Sequence, residues 1–361
     1  MSTTLQVAEY FLIAALVFTV LALISDLVIV TTRTSAKTRS RIKKNGSAKS
    51  KVKVADGRAE KQDALVGAGV SADTAAGIGV GAGIGTTAAS ASADVGPRVI
   101  SATTNTKSLS SSKKAATRTK RGLPKGLALY ATGFTFIALV LVTVYLGLRM
   151  SISGYGPFAN QHEFAVSFAW GILLAYLIAE YVWQVRALSL MVLPIAAVLL
   201  VYAVSLPTEI EPLIPALQNH LLLTLHIGFA ILAYGAAAVS FGAAVFYLIY
   251  PGLSRKLKHL PSRDLLDDIG YKAATVAFPM LTIAIVLGAV WGNTAWGRYW
   301  GWDPKETAAL VTWLIYGAYL HARVTRGWRG TRSAWLLVLG FAAVLFTYFG
   351  NHFFGGLHSY V

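Results

Sequence analysis

Eight apolar runs, each about as long as a bilayer is thick, constrain the fold of this 361-residue chain more than any other feature. A helix of about 20 apolar residues crosses the roughly 30 Å hydrocarbon layer. Because a helix satisfies its own backbone hydrogen bonds, it is the structure that such runs adopt in lipid. The runs span residues 9–30, 127–150, 163–183, 188–206, 219–250, 273–291, 306–325 and 334–354. The sequence therefore predicts an all-α polytopic protein with about eight transmembrane helices in a lipid bilayer.

A basic, low-complexity segment separates the first run from the other seven. Residues 33–125 contain 19 Lys and Arg against 5 Asp and Glu, most of the chain's net charge of +16. Its middle lacks the large apolar residues that a core requires, so we expect a disordered linker. It also lacks the aromatic residues that stack on bases, which argues against nucleic acid as a partner. We therefore expect three regions: a first transmembrane helix (1–32), the linker (33–125) and a seven-helix core (126–361).

The basic residues outside the runs predict how the helices are oriented. Lys and Arg collect in cytoplasmic loops. They are concentrated in the linker, in the turn at Arg186, in the loop from Arg255 to Lys272 and in the turn from Arg323 to Arg332. These four segments alternate along the chain with loops that have few basic residues. Eight helices with both termini outside satisfy the rule throughout and place the linker in the cytoplasm.

The loop before the seventh run is rich in tryptophan. Residues 291–305 read WGNTAWGRYWGWDPK and contain Trp291, Trp296, Trp300 and Trp302, spaced by glycines. Two tryptophans would suffice to anchor a helix at the membrane interface, whereas four favour a surface for a large planar ligand. The end of the loop also has a local interpretation, since Asp303, Pro304 and Glu306 suit the N-cap, N1 and N3 positions of the next helix.

This segment resembles the tryptophan-rich "WWD" signature of haem-handling proteins of cytochrome c biogenesis, above all the CcsA/ResC component of the system II cytochrome c synthetase. The resemblance runs from about residue 156 to the C-terminus. It implies a b-type haem as the substrate. It also implies haem contacts for the four loop tryptophans, Asp303, His226, His321 and His358.

The topology independently brings two histidine regions to the external face that carries the loop. His226 lies about two turns into the fifth run and His358 lies in the C-terminal tail. Two imidazoles are a common axial ligand pair for haem iron. From the residues alone, His220 and His352 remain alternatives; the resemblance assigns the ligand roles to His226 and His358.

His321 lies deeper in the membrane than these histidines. It is about 24 Å along its helix from residue 305, in the inner half of the bilayer. The resemblance implies an intramembrane haem contact there. From their position near His321, we expect the charges of Arg323 and Arg326 to attract haem propionates. The alternative is a packed histidine that hydrogen-bonds a neighbouring helix.

The resemblance implies a subunit that moves haem across the cell (plasma) membrane and presents it outside for thioether attachment to the CxxCH segment of apocytochrome c. A ResB/CcsB-like membrane partner and thiol-reducing proteins are the implied partners. The chain contains no cysteine, so any thiol chemistry belongs to a partner. One alternative is a haem exporter or chaperone that serves a separate ligase. Another is a cytochrome b-like electron carrier, which would need histidines at matching depths on two helices.

Overall fold

The computed structural model describes residues 3–31, 126–210, 217, 220–256, 260–350 and 353–357. Over these ranges the chain is helical and contains no strand, which confirms the predicted all-α fold. A short 3-10 turn (Arg186–Leu188) precedes α4. The predicted linker lies outside the described residues. The helices are α1 (Thr3–Thr31), α2 (Leu127–Ser153), α3 (Gln161–Trp183), α4 (Ser189–Val204), α5 (His220–Lys256), α6 (Arg263–Trp296), α7 (Pro304–Arg326) and α8 (Thr331–Phe349).

Seven of these eight helices are long and apolar enough to cross a membrane, and α7 is the exception. Its 23 residues would extend about 35 Å, so its length suffices. Its composition differs, because Thr312, Trp313, Tyr316, Tyr319 and His321 interrupt its aliphatic residues. The composition of α7 alone therefore does not identify it as a transmembrane helix. That it spans the bilayer stays a prediction, which rests on its position between α6 and α8 in the chain.

The loop between α6 and α7 is shorter than the apolar pattern predicts. Helix α6 continues through Trp296 and ends at Gly297, which has φ 70° and donates its N–H to the carbonyl of Asn293. A left-handed glycine, rather than the end of the apolar run, terminates this helix. At the other side of the loop, Asp303 and Glu306 form the expected capping box of α7. Residues 297–303 thus form the loop, and the end of the bundle that carries it is called the loop end below.

Small residues let α3, α4 and α5 approach closely. A Cβ on Gly235 of α5 would lie 2.3 Å from the carbonyl oxygen of Gly171 on α3. Similarly, a Cβ on Gly242 would lie 2.6 Å from Cγ2 of Val192 on α4. The glycines of α5 therefore allow close packing at two helix crossings.

A buried ion pair joins α2 and α3 at the loop end. Arg149 Nε lies 2.6 Å from Glu163 Oε1, and both side chains are fully buried. The same guanidinium donates to the carbonyl oxygens of Thr208 (2.8 Å) and Glu209 (3.2 Å) in the segment after α4. Glu9 of α1 accepts a hydrogen bond from the Thr208 hydroxyl, so the first turns of α1 also lie at this end. The ion pair and these hydrogen bonds therefore connect the end of α2, the start of α3 and the segment after α4.

A second ion pair joins α6 and α7 at the opposite end of the bundle. Arg323 Nη2 lies 2.6 Å from Asp267 Oδ2, and Asp267 Oδ1 accepts the N–H of Gly330 in the turn before α8. Arg323 also donates to the carbonyl oxygen of Trp328. This arginine therefore closes the α7–α8 turn and is already paired with a carboxylate.

Candidate functional site

A cavity of about 500 Å³ lies at the loop end, between α3, α5, α6, α7 and α8. This volume is within the range of pockets that bind small molecules, about 300–1,000 Å³. Most of its wall is apolar. The polar side chains that line it include His162, His226, Lys305 and Glu306.

His226 is held in the cavity wall by contacts with α6. Its Nδ1 lies 2.7 Å from the carbonyl oxygen of Ala284. Because a carbonyl only accepts, Nδ1 carries the proton, and in the neutral ring Nε2 has the lone pair. A Cβ on Gly288 would lie 2.7 Å from His226 Cε1, so the glycine makes room for the ring. This is the tautomer and support that a metal-ligating histidine needs.

The four tryptophans divide into two pairs instead of forming one continuous surface. Trp291 is buried and nearly parallel to the His226 ring, at 10° and 6.3 Å between centroids. Trp296 packs edge-on against Trp291 at 4.7 Å. In the loop, Trp300 lines the cavity and meets Trp302 edge-on at 5.8 Å. Trp302 is 70% exposed and has a φ of 54°, so it lies on the outer surface.

Asp303 is buried and connects the loop to the C-terminal segment. Its Oδ1 accepts the backbone N–H of Lys305 at 2.9 Å, and its Oδ2 accepts that of Leu357 at 2.6 Å. A Cβ on Gly356 would lie 2.3 Å from Oδ2, so only glycine permits this approach. Asp303 is not among the described residues that line the cavity. Its place in the structure is that of a cap and an anchor for the tail.

The remaining predicted histidines lie in different places. His321 is exposed on α7, near the end opposite to the loop, and is not among the described residues of the cavity wall. It is therefore not the packed core histidine of the alternative interpretation. His358 and His352 lie outside the described residues. His220 begins α5, but its side chain lies outside the described part of the structure.

Residues 158–358 match the family model described as cytochrome C assembly protein, which is more than half of the chain. The chain belongs to this family. The matched range includes all of α3 to α8, with His226, the four loop tryptophans, Asp303 and His358. Helices α1 and α2 and the linker precede the cytochrome c assembly region.

Named relatives agree with this assignment to the cytochrome c assembly family. The chain is 37% identical over 254 residues to cytochrome c biogenesis protein CcsA of Guillardia theta, covering 63% of this chain and 84% of that protein. It is 36% identical over 279 residues to CcsA of Microcystis aeruginosa, covering 62% and 85%. Among solved structures, the cytochrome c haem lyase CcmF matches with a TM-score of 0.46 at 22% identity. That match covers 61% of this chain and 40% of CcmF.

Two cavity residues within the cytochrome c assembly region were not predicted from the sequence. His162 lies in the first turn of α3 and is buried. Its Nδ1 donates to the carbonyl of Ala203, and its Nε2 accepts the Tyr145 hydroxyl. The sequence pattern gives Lys305 no role beyond its place in the first turn of α7. One sequence feature could have drawn attention to both residues. Each is an ionisable residue at the border of an apolar run, where a charged group needs a partner.

Proposed function

We propose that this chain is the haem-delivering subunit of a cytochrome c synthetase. Haem moves across the cell membrane and is held at the loop end for thioether attachment to apocytochrome c. The observation that carries the proposal is His226, whose tautomer and packing suit an iron ligand in the wall of an apolar cavity of ligand size. The b-type haem is the substrate.

The arrangement around His226 fits a planar iron macrocycle. The flat ring of Trp291 lies nearly parallel to the imidazole, and Trp300 adds an aromatic surface to the wall. We assign the second axial position to His358. Its neighbour Leu357 is tied to Asp303 at the loop end, which supports this assignment. The tryptophans and Asp303 then contribute to haem binding mainly by shaping the site.

In the proposed reaction, each cysteine thiol of the CxxCH segment adds across a haem vinyl group. The S–H bond and the π bond of the vinyl group break, a C–S bond and a C–H bond form, and no net electrons are exchanged. Both sulfur atoms come from the apocytochrome, because this chain has no cysteine. Thiol-reducing proteins keep them reduced. The chain contributes orientation, which lowers the entropic part of the barrier.

We propose that a ResB/CcsB-like subunit completes the complex and that His321 contacts haem before the external site does. The exposed position of His321 on α7 supports a contact on the outer surface of the bundle, toward such a partner. In this proposal the linker is cytoplasmic and both termini are outside. The shared location of Glu9, the α6–α7 loop and Leu357 at one end agrees with that topology.

The function is tested with the full chain and its partner, purified together and supplied with haem. An added reduced CxxCH peptide should acquire two thioether bonds, detected by the mass of the peptide–haem adduct. A complex that binds haem but forms an adduct only when a separate ligase is added would be a haem exporter or chaperone. A complex without a haem spectrum would contradict both functions.

Gly288→Ala should weaken haem binding without unfolding the protein. The new Cβ would approach Cε1 and Nδ1 of His226 to 2.7 and 2.9 Å, so the ring must tilt away from the Ala284 carbonyl. Loss of such a supporting contact typically lowers metal affinity by about 10- to 100-fold. The measurement is a haem titration followed by the Soret band.

Gly228→Ala is the matched control, two residues after His226 on α5. A Cβ there has no atom within 4 Å, so its affinity should equal that of the wild type. Equal affinities for the Gly288→Ala and Gly228→Ala proteins would contradict the support assigned to Gly288.

A further inference from the structure

Lys305 brings a positive charge to the wall of the cavity that contains His226. It lies in the first turn of α7, with its side chain partly buried. Its Nζ lies 5.1 Å from the ring centroid of Phe164, which lines the same cavity from α3. The ammonium group is therefore placed against an aromatic wall at the loop end.

The carboxylates nearest to Lys305 in sequence bind backbone groups. Glu306 Oε2 accepts the N–H groups of Gly301 (2.8 Å) and Asp303 (3.2 Å). Both oxygens of Asp303 accept backbone N–H groups, as described above. None of the four ion pairs found among the described residues includes Lys305. Lys305 thus forms no ion pair within the described part of the chain, and the Asp303 carboxylate acts on its charge only from a longer distance.

Removing an ammonium group from water is unfavourable unless an anion or hydrogen-bond acceptors replace the water. The Phe164 ring attracts the ammonium group but offers it neither a full negative charge nor a hydrogen-bond acceptor. A carboxylate from a ligand would supply both the opposite charge and the acceptor atoms. The cavity therefore favours a ligand that is apolar and planar but carries a carboxylate at one edge.

We propose that Lys305 binds a carboxylate of the tetrapyrrole and that this contact fixes the rotation of the macrocycle about the iron–His226 axis. The inference rests on the proposed function and names a binding residue for it. A ligand held only by axial imidazoles can rotate about that axis. An anchored carboxylate determines which edge of the ring, and hence which vinyl groups, face the incoming thiols.

Other basic residues of the core do not offer this contact. Arg323, near the opposite end, is paired with Asp267. Arg149, at the loop end, is paired with Glu163 and fully buried. Arg298 packs its guanidinium against Gly301 and is not among the described residues of the cavity wall. Lys305 is thus the described base best placed for a carboxylate in this cavity.

The test compares haem with haem dimethyl ester, in which both carboxylates are esterified. The full chain and its partner are titrated with each compound, and the Soret band gives the two dissociation constants. A hydrogen bond to a charged group contributes about 1.5–3 kcal/mol, so wild type should prefer the diacid about ten- to a hundredfold. In Lys305→Met the diacid should bind as weakly as the ester, and ester binding should be unchanged. Lys305→Arg should keep the preference.

Lys272→Met is the matched control, because this lysine is exposed and pairs with Asp268 on the surface of α6. It should bind both compounds as wild type does. Equal binding of diacid and ester by wild type would overturn the proposal, as would a preserved preference in Lys305→Met. Equal loss of both compounds in Lys305→Met would mean that the lysine is structural. If wild type bound neither compound, the proposed function itself would fail.

Discussion

His226→Ala should remove the haem absorption of the purified complex, and added imidazole should restore part of it. The change deletes an axial ligand but leaves the cavity and the Trp291 surface in place, so a free imidazole can occupy the vacated position. Because loss of a mere supporting contact lowers metal affinity by about 10- to 100-fold, loss of the ligand should exceed that range. Soret spectra of the variant with increasing imidazole measure the effect, and adduct formation should recover in parallel.

Leu225→Ala is the appropriate control, because this neighbour on α5 has an exposed side chain and is not among the described cavity residues. It should retain the wild-type spectrum. A wild-type spectrum in His226→Ala would place the ligand elsewhere, and His220 would be the next residue to replace. An imidazole-independent loss, together with aggregation, would assign His226 a packing role.

Gly235→Val should prevent α3 and α5 from packing and leave little folded protein. Even the first added carbon would lie 2.3 Å from the carbonyl oxygen of Gly171 and 2.8 Å from its carbon, which are rigid backbone atoms. Overpacking typically destabilises a protein by about 1–3 kcal/mol when side chains can adjust, and here the helices must separate. We expect an effect of at least about 3 kcal/mol, measured as the loss of monodisperse protein in detergent and a lowered melting temperature.

Gly133→Val on α2 separates this clash from the effect of valine itself. A Cβ at Gly133 has no atom within 4 Å, and valine has a higher helix propensity than glycine. The Gly133→Val protein should therefore be at least as stable as wild type. If both variants melted alike, the close approach at Gly235 would not be needed for folding.

The features that sequence reasoning predicted are those that depend on short stretches of chain. The apolar runs predicted the helices, because a segment in lipid must satisfy its backbone hydrogen bonds within itself. The Asp303-Pro-Lys-Glu306 pattern predicted the start of α7, because a capping box acts within one turn. The end of α6 was predicted less accurately, because it depends on the backbone conformation of a single glycine. Gly297 ends α6 six residues beyond the apolar run, so Trp291 and Trp296 are helical.

The parts of the site that were not predicted depend on how distant helices cross. Arg149 finds Glu163 only because α2 and α3 meet at the loop end. His226 acquires its tautomer from a carbonyl on α6, 58 residues away in sequence. The place of Lys305 in a cavity wall likewise requires α3 and α5 to be packed beside α7. A single sequence does not show which residues of distant helices come into contact, so these parts of the site could not be predicted from it.

The partners of the polar residues of α7 also bear on how the protein is inserted during synthesis. Trp313 donates to Thr282 of α6 at 2.8 Å, Thr312 and Thr347 of α8 are hydrogen-bonded at 3.1 Å, and Tyr316 lies 3.5 Å from Ser240 of α5. A lone α7 leaving the translocon would expose these groups to lipid, where an unsatisfied polar group is unfavourable. Because α7 is predicted to span the bilayer, we expect it to enter only together with its neighbours, so that the cavity wall it carries is completed after they are in place.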